Sequence, residues 1–348
     1  MYSKKSAFVR GLELGGSAPV RVQTMYDDVI KGVNPEEIVK KINLLTSQGC
    51  DLIRFSYVSS LDKDNFKYIT AHSPIPVVAD IHFDYKMALE ALDCGADKIR
   101  INPGNIGEKW KTKLVVERAK EKSACIRIGL NTGSLPKNTG EKDEVKLMVE
   151  TALEYISDFE AWGFNNIVVS LKSSDINKTM ESARLFSSLS DYPLHIGVTE
   201  AGNAITSSVR STWALGNLLK EHIGDTMRVS INGKCEDEVL AANEILRALG
   251  LKKGGVRIIA CPRCGRHTFD SIGFLERVQP RLLSLKKDIS VAVMGCSVNG
   301  PGEAHSATYA VTGNGRKVFI YKNGKLYKTV DNIDEADNAL FEAIENDR

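Results

Sequence analysis

The sequence predicts an α/β protein made of a (β/α)8 TIM barrel followed by a small α+β domain. Short apolar segments alternate with longer amphipathic segments eight times within roughly the first 250 residues, as expected for eight strand–helix units. Around residues 250–255 this alternation stops at a Lys-Lys-Gly-Gly linker, and a different pattern of strands and helices follows. We therefore place a barrel domain at residues 1–250 and a second domain at residues 251–348.

The predicted barrel strands are short and apolar, and several follow a glycine that ends the preceding helical pattern. They are Val20–Thr24, Asp51–Phe55, Pro76–Asp80, Lys98–Asn102, Cys125–Leu130, Asn166–Leu171, Pro193–Val198 and Thr226–Ile231. Between them the clearest helical patterns are Pro35–Gln48, Asp143–Trp162 and Glu236–Leu249. Asn34 and Pro35 are typical of a helix N-terminus.

The second domain combines strands, two helices and a hairpin around Asn323-Gly324. The predicted elements are strand Val256–Ala260, helix Ser271–Lys286, strands Ile289–Met294, Ala307–Val311, Lys317–Tyr321 and Lys325–Val330, and helix Ile333–Glu345.

The composition is that expected of an ordinary soluble protein. The net charge of +2, with 43% hydrophobic and 26% charged residues, gives no basic excess to indicate nucleic-acid binding. No apolar run reaches the roughly 20 residues that span a bilayer, and the N-terminus resembles neither a signal nor a transit peptide. We expect a cytoplasmic protein with no membrane partner. Cys50, Cys94, Cys125 and Cys235 are interpreted as structural thiols.

Three cysteines of the second domain have the spacing of a metal site. Cys261 and Cys264 form a C-x-x-C pair, and Cys296 follows thirty-two residues after Cys264. Three thiols suit a 4Fe-4S cluster, which needs thiolates at three corners and accepts a different fourth ligand. Structural zinc normally takes four protein ligands, so His267 or His305 would have to complete that alternative. Unrelated free thiols are the third interpretation.

Glu303 is the candidate fourth ligand. It lies seven residues after Cys296, in a loop whose Gly300-Pro301-Gly302 can turn the chain back toward the thiols. An oxygen ligand is exchangeable, which suits an iron that must bind substrate. The alternative is an exposed loop carboxylate.

Polar side chains cluster where the predicted strands end, which is the catalytic face of such barrels. They are Gln23, Arg54, Asp80, His82, Arg100, Asn102, Arg127, Asn131, Lys172, Glu200, Arg228 and Ser230. Because the cations outnumber the carboxylates, we expect them to bind a phosphate or diphosphate. The alternative is that single arginines pair locally with Asp80 or Glu200. Glu200 is the best candidate for a general acid or base, and the turn that follows Asn131 could offer N–H groups to phosphate.

The linker between the domains leads to a prediction about assembly. It spans at most about 17 Å, whereas the last barrel helix, which ends at the face opposite the predicted active site, is about 21 Å long. A linker of this length makes it difficult for the metal site to reach the active-site face of its own barrel. A head-to-tail homodimer, with active sites shared in trans, solves this with one closed interface.

These motifs together resemble the bacterial, two-domain 4-hydroxy-3-methylbut-2-enyl diphosphate synthases of the methylerythritol phosphate pathway. The segments that carry the resemblance cover nearly the whole chain. They are Val22–Met25, Ala79–Tyr85, Lys98–Gly107, Arg127–Ser134, His195–Gly202, Gly224–Ser230, Cys261–Arg266 and Met294–Ala304.

The resemblance implies an iron–sulfur oxidoreductase of isoprene biosynthesis, acting as a homodimer. The enzyme would open the ring of 2-C-methyl-D-erythritol 2,4-cyclodiphosphate and remove a hydroxyl, with electrons from flavodoxin or ferredoxin. It also implies metal ligands Cys261, Cys264, Cys296 and Glu303, proton handling by Glu200, and a diphosphate site formed by Arg54, Arg100, Arg127, Lys172 and Arg228 with Asp80, His82, Asn102, Asn131 and Ser230.

Two rival functions are consistent with the residues alone. One is a cluster enzyme acting on another phosphorylated polyol. The other is a zinc-stapled barrel that binds a phosphorylated ligand without redox chemistry.

Overall fold

The computed structural model describes residues 3–132, 143–262, 264–296, 302, 305–315 and 317–346. The chain divides into two compact units, Met1–Lys252 and Lys253–Arg348. Each unit encloses its own apolar core. Among the helices of the described ranges, none is both long and apolar enough to cross a membrane.

The first unit is a barrel of eight parallel strands preceded by a hairpin. The hairpin is β1 (Ser6–Val9) and β2 (Leu12–Gly15), and the barrel strands are β3 (Arg21–Met25), β4 (Leu52–Ser56), β5 (Val77–Asp80), β6 (Lys98–Ile101), β7 (Cys125–Asn131), β8 (Ile167–Lys172), β9 (His195–Ile196) and β10 (Thr226–Met227). Their order is β8-β7-β6-β5-β4-β3-β10-β9. A parallel bridge between Val169 and Leu194 joins the two ends. The predicted (β/α)8 barrel is confirmed.

Helices cover the outside of this barrel. They are α1 (Pro35–Ser47), α2 (Lys63–His72), α3 (Tyr85–Asp93), α4 (Pro103–Ile106), α5 (Lys109–Glu121), α6 (Glu144–Ala161), α7 (Ile176–Leu189), α8 (Ala204–Lys220) and α9 (Cys235–Ala248). Asn34, Asp143 and Asn203 each accept a backbone N–H at a helix start, which satisfies groups that the helix itself leaves free. The apolar faces of these helices pack on the outward-facing strand residues.

The last two barrel strands are shorter than predicted. β9 ends at Ile196, and at the next residue, Gly197, a Cβ would lie 2.6 Å from Nζ of Lys172 and 2.7 Å from the carbonyl oxygen of Arg228. Gly197 therefore lets the chain pass where polar groups crowd the barrel interior.

The N-terminal hairpin was not predicted, and it covers one end of the barrel. Its buried Ala7, Val9 and Leu14 pack against inward-facing residues near the starts of four strands, namely Leu52, Val78, Cys125 and Val168. This packing excludes water from the end of the barrel opposite the strand termini. In the part of the chain that the structure describes, the interior is closed at this end, and its polar cavity lies at the C-terminal ends of the strands.

The second unit is a five-stranded sheet covered by two helices. The strands are β11 (Val256–Ala260), β12 (Ile289–Met294), β13 (Tyr309–Asn314), β14 (Lys317–Lys322) and β15 (Lys325–Val330), and the helices are α10 (Ser271–Ser284) and α11 (Ile333–Glu345). The strands follow chain order, with β11, β12 and β13 parallel and the last three antiparallel. The predicted α+β class is confirmed.

We expect Leu14→Ala to lower the free energy of unfolding of the barrel by about 2–4 kcal/mol, because it opens a cavity where the fully buried Leu14 side chain of the N-terminal hairpin packs against the barrel. Denaturant unfolding followed by circular dichroism measures this. Phe8→Ala is the matched control, since Phe8 in the same hairpin is 52% exposed and should change stability little. Equal losses of unfolding free energy for the two variants would show that the buried packing of Leu14 adds nothing specific to stability.

Candidate active site and metal-binding thiols

A polar cavity of about 230 Å³ lies at the C-terminal ends of the barrel strands. It is lined by Arg54, Asp80, His82, Arg100, Asn105, Arg127, Asn131, Ser170, Lys172, Thr199, Arg228 and Ser230. The structure thus brings together every residue predicted to bind the diphosphate except Asn102. Glu200 and Gln23 are also absent from the lining.

Strand register places the charged side chains side by side. Asp80 of β5 is aligned with Arg100 of β6, which is aligned with Arg127 of β7. Neighbouring strands are only about 4.8 Å apart, so two arginines in register repel each other unless an anion lies between or above them.

A glycine on β7 makes room for one of these arginines. A Cβ on Gly129 would lie 2.5 Å from Nε of Arg100. Nη2 of Arg100 instead donates a hydrogen bond to the Gly129 carbonyl oxygen at 3.0 Å. The small residue therefore lets the guanidinium lie flat along the adjacent strand, where it lines the cavity.

Asp80 is the carboxylate at the centre of the cation group. Its side chain is 3% exposed and lies 3.3 Å from Nη2 of Arg54 and 3.4 Å from Nη1 of Arg100. Although burial acts to raise the pKa of Asp80, the charges of Arg54, Arg100 and Arg127 hold it below its usual value. Asp80 therefore stays ionised and orients two guanidinium groups. His82 lies 3.7 Å from the same carboxylate.

A second carboxylate, Glu238, was missed by sequence reasoning. Glu238 is on α9 and 3% exposed, and it accepts two hydrogen bonds from Arg228, at 2.8 and 2.6 Å. It also accepts hydrogen bonds from Thr24 and from the backbone N–H of Ile231. Strand periodicity points to residues at strand ends, whereas this carboxylate enters from the first turn of a helix. Arg228 is thus held by a local partner, as the salt-bridge alternative allowed.

Even with these two carboxylates, positive charge exceeds negative charge in the cavity. Arg127 is 1% exposed, and its Nε and Nη1 have no hydrogen-bond partner within the part of the chain that the structure describes. Burial, reinforced by the nearby arginines, lowers the pKa of Arg54 to about 10 and pushes the pKa values of Arg127 and Lys172 well below their usual range. A multiply charged anion would relieve this electrostatic cost.

Two predicted residues, Asn102 and Glu200, are placed differently from the others. Asn102 is 1% exposed, and its side-chain oxygen accepts the Gly104 N–H at the start of α4. Glu200 is exposed, and its φ of 53° lies in the left-handed region that costs a non-glycine residue on the order of 1–3 kcal/mol. Among the described residues, Glu200 forms no ion pair within 4.0 Å. The turn beyond Thr132 lies outside the described residues.

Sequence reasoning also missed Asn105, Ser170 and Thr199 as cavity residues. Ser170 could have been found, because it lies two residues before Lys172 on β8 and alternate strand residues share a face. Asn105 lies in the short helix α4 that follows β6, so strand periodicity gave no signal for it.

In the second unit, the three predicted metal-binding thiols lie just beyond two adjacent parallel strands. Cys261 follows β11 and is half-buried, Cys264 is exposed, and Cys296 follows β12 and is buried. The Gly295 N–H donates to Sγ of Cys261 at 3.1 Å. Backbone N–H groups stabilise the thiolate form of sulfur, which is the form that binds metal. Glu303 lies outside the described residues.

The geometry gives little support to a preformed zinc site. A tetrahedral zinc with bonds of about 2.3 Å holds its sulfur ligands roughly 3.8 Å apart. Across the described ranges, only Asp27, Cys235 and Glu236 bring three such ligand atoms within 4.8 Å of one another. That group is in the barrel, where Lys41 already pairs with Asp27 at 2.7 Å.

Comparison with known proteins identifies relatives over nearly the whole chain. Residues 4–243 match the family model of the GcpE TIM-barrel domain, and residues 257–346 match that of the GcpE protein C-terminal domain. A relative from Treponema denticola, named 4-hydroxy-3-methylbut-2-en-1-yl diphosphate synthase (flavodoxin), is 42% identical over 97% of this chain and 95% of its own. A relative of the same name from Caldanaerobacter subterraneus is 46% identical, covering 91% and 90%.

Among solved structures, dihydropteroate synthase from Yersinia pestis is similar with a TM-score of 0.50. It is 14% identical and covers 71% of this chain and 98% of that chain. This likeness concerns the barrel fold alone.

We expect Arg127→Met to raise the free energy of unfolding of the ligand-free protein by about 1–3 kcal/mol, because it removes a buried cation that lacks partners. The same change should weaken binding of inorganic diphosphate roughly 10- to 100-fold. Thermal melting and isothermal titration calorimetry measure the two effects. Arg184→Met is the control, because Arg184 forms an exposed pair with Glu221 far from the cavity. A less stable variant that still binds diphosphate normally would contradict this view of Arg127.

Proposed function

The chain belongs to the GcpE family, and from this premise we propose how its two units contribute to the reaction of its curated relatives. It is an oxidoreductase that converts 2-C-methyl-D-erythritol 2,4-cyclodiphosphate into 4-hydroxy-3-methylbut-2-enyl diphosphate in isoprenoid biosynthesis. The resemblance seen in the sequence is thereby confirmed, and the zinc-stapled binding protein is not favoured.

We propose that the barrel cavity binds the diphosphate of the substrate. The observation that carries this proposal is the row of cations on adjacent strands, with Arg100 and Arg127 in register. Within the described ranges, Asp80 and Glu238 are the carboxylates that pair with this group. Guanidinium groups match phosphate oxygens with paired hydrogen bonds. Arg54, Lys172 and Arg228 would complete the site, with His82, Asn131 and Ser230 as further donors. A role for Asn102 would be indirect, through the start of α4.

Glu200 is proposed to hold or deliver the proton that leaves with the hydroxyl group as water. Its strained backbone supports this role, because left-handed non-glycine residues persist where the surrounding structure positions a side chain for function. Glu200 follows the end of β9 and is exposed, so substrate can reach it. The reaction consumes two electrons and needs protons for the departing water, which a carboxylic acid near the cavity can supply.

The thiols fit a 4Fe-4S cluster held by Cys261, Cys264 and Cys296, with Glu303 as the proposed fourth ligand. The donor set is soft, it lies at the ends of two parallel strands, and one sulfur accepts a backbone N–H. When bound, such a cluster supplies electrons one at a time. The relatives' name supports flavodoxin as the donor, with ferredoxin as the alternative. A thiol-held cluster also suits the reducing cytoplasm.

We further propose a homodimer whose active sites are shared in trans. Helix α9 has 14 residues and is therefore about 21 Å long. It starts on the cavity side and ends on the opposite side, close to where the second unit begins at Lys253. A second copy, related by a two-fold axis, could supply the cluster to each cavity with one closed interface.

Anaerobic reconstitution with iron and sulfide tests the cluster. The wild-type chain should take up about four iron atoms and turn brown, whereas Cys296→Ser should lose most of the iron and of the visible absorption, because a hydroxyl is a poor ligand for this iron. Cys94→Ala is the control, since Cys94 is a buried thiol of the barrel. A colourless wild-type protein that retains zinc after this treatment would contradict the assignment of a 4Fe-4S cluster.

Subunit exchange tests the shared sites. In a mixture of Cys296→Ser and Glu200→Ala chains, each mixed dimer would contain one site with an intact carboxylate and an intact thiol set. At full random exchange we expect about a quarter of the wild-type activity. Either variant exchanged with itself is the control and should stay inactive. If confirmed mixed dimers are inactive, each chain must use its own thiols.

A further inference from the structure

A lysine lies in the barrel interior beneath the cavity. Lys98 is the first residue of β6, two residues before Arg100, so its α-carbon is about 7 Å below that of Arg100 along the strand. Because alternate strand residues share a face, both side chains point into the barrel. Lys98 is fully buried, and within the described residues its Nζ has no hydrogen-bond partner.

The groups that face Lys98 cannot neutralise a charge on it. Arg54 and Arg127 are the cations that act on it, and both disfavour its protonated form. Cys125, aligned with Lys98 on β7, keeps its proton, because burial raises the pKa of its thiol to about 11. On the other side, β5 presents the apolar Val78 in register with Lys98. His195 also lies in this interior, where burial and then the charges of Lys172, Arg127 and Lys98 lower its pKa.

The consequence is an amine whose protonation changes near neutral pH, in the ligand-free protein, and which is mostly neutral at pH 8. Burial, opposed by Cys125 and reinforced by repulsion from Arg127 and Arg54, lowers the pKa of Lys98 to about 7. A cationic lysine with no partner, under a group of arginines, is costly as long as the cavity lacks an anion. The cost falls when negative charge enters above it.

We propose that Lys98 takes up a proton when the cyclic diphosphate binds in the cavity above it, so that substrate binding and protonation of the barrel interior are linked. The inference rests on the proposed anion site. Lys98 does not touch the ligand in this scheme, and it acts as a positioning charge that completes the neutralisation of the diphosphate only when the site is filled.

The sign of the pH dependence follows from linkage. Bound anion raises the affinity of Lys98 for its proton, so binding is strongest below pH 7, where the amine is already charged. As pH rises above 7, the proton must be taken from solvent, and binding weakens by up to roughly tenfold per pH unit. The linkage to Lys98 should therefore be visible at pH 8 and absent at pH 6.

Calorimetry of the oxidised holoenzyme, anaerobic and without an electron donor, measures this proton. The ligand is 2-C-methyl-D-erythritol 2,4-cyclodiphosphate, which does not itself titrate between pH 6 and 8 because each phosphorus carries one strongly acidic hydroxyl. Binding enthalpies in buffers of different ionisation enthalpy give the number of protons taken up. We expect wild type to take up roughly half a proton or more beyond Lys98→Met at pH 8, and the two to agree at pH 6.

Two further variants complete the test, a second substitution of Lys98 and a control at another lysine. Lys98→Arg stays charged at every pH used, so it should lose the same uptake, and it serves if the methionine variant does not fold. Lys252→Met is the matched control, because Lys252 is another lysine whose pKa burial lowers, and it donates to Asn243 outside the cavity. It should take up as many protons as wild type.

The outcomes separate the two proposals. Tight binding with the same proton uptake in wild type and in the Lys98 variants would overturn the role of Lys98 and leave the anion site standing. Failure of the wild-type holoenzyme to bind the cyclodiphosphate would overturn the anion site, and the role of Lys98 with it. Loss of uptake in Lys252→Met as well would show that the effect is not specific to Lys98.

Discussion

The excess of positive charge inside the barrel is the constraint on which the rest of the first unit depends. Adjacent parallel strands bring Arg100 and Arg127 into register, and Lys98 lies below them with no partner among the described residues. Buried like charges are among the most costly arrangements a fold can contain. The barrel tolerates them because its outer apolar core is large and continuous, running through nearly every helix and strand. The apolar packing between the helices and the outer face of the barrel therefore offsets the cost of the charges in the barrel interior.

Several local features follow from this charge. Gly129 and Gly197 leave room for Arg100 and Lys172 to lie against neighbouring strands. Glu238 fixes Arg228 with a bidentate pair, which keeps one guanidinium from moving toward its neighbours. The hairpin plug closes the opposite end with apolar side chains, so water cannot screen the charges from below. The cavity is thus kept cationic, and the proposed diphosphate ligand would gain more from it than from a flexible surface cluster.

The parts of this design that follow strand periodicity could be predicted from the sequence, and the others could not. Alternation placed Asp80, Arg100 and Arg127 at one face, and the amphipathic period predicted α11 to its terminal residues. The hairpin was not predicted because its strands have only four residues each, which is too few for a clear alternation of apolar and polar residues. Glu238 was missed because its partner is set by helix packing, and the left-handed backbone of Glu200 is imposed by the turn rather than by residue type.

Both units place their reactive residues by the same rule, at the C-terminal ends of parallel strands. In the barrel that edge holds Arg100, Arg127 and Lys172 on three successive strands, β6, β7 and β8. In the second unit it holds Cys261 and Cys296, which follow the adjacent β11 and β12. In the barrel the positive charge at this edge comes from the arginine and lysine side chains, and in the second unit the Gly295 N–H donates to the Cys261 sulfur. Both kinds of group stabilise negative charge, on phosphate in the first case and on thiolate sulfur in the second. A single electrostatic preference therefore underlies the proposed sites for both the substrate and the metal centre.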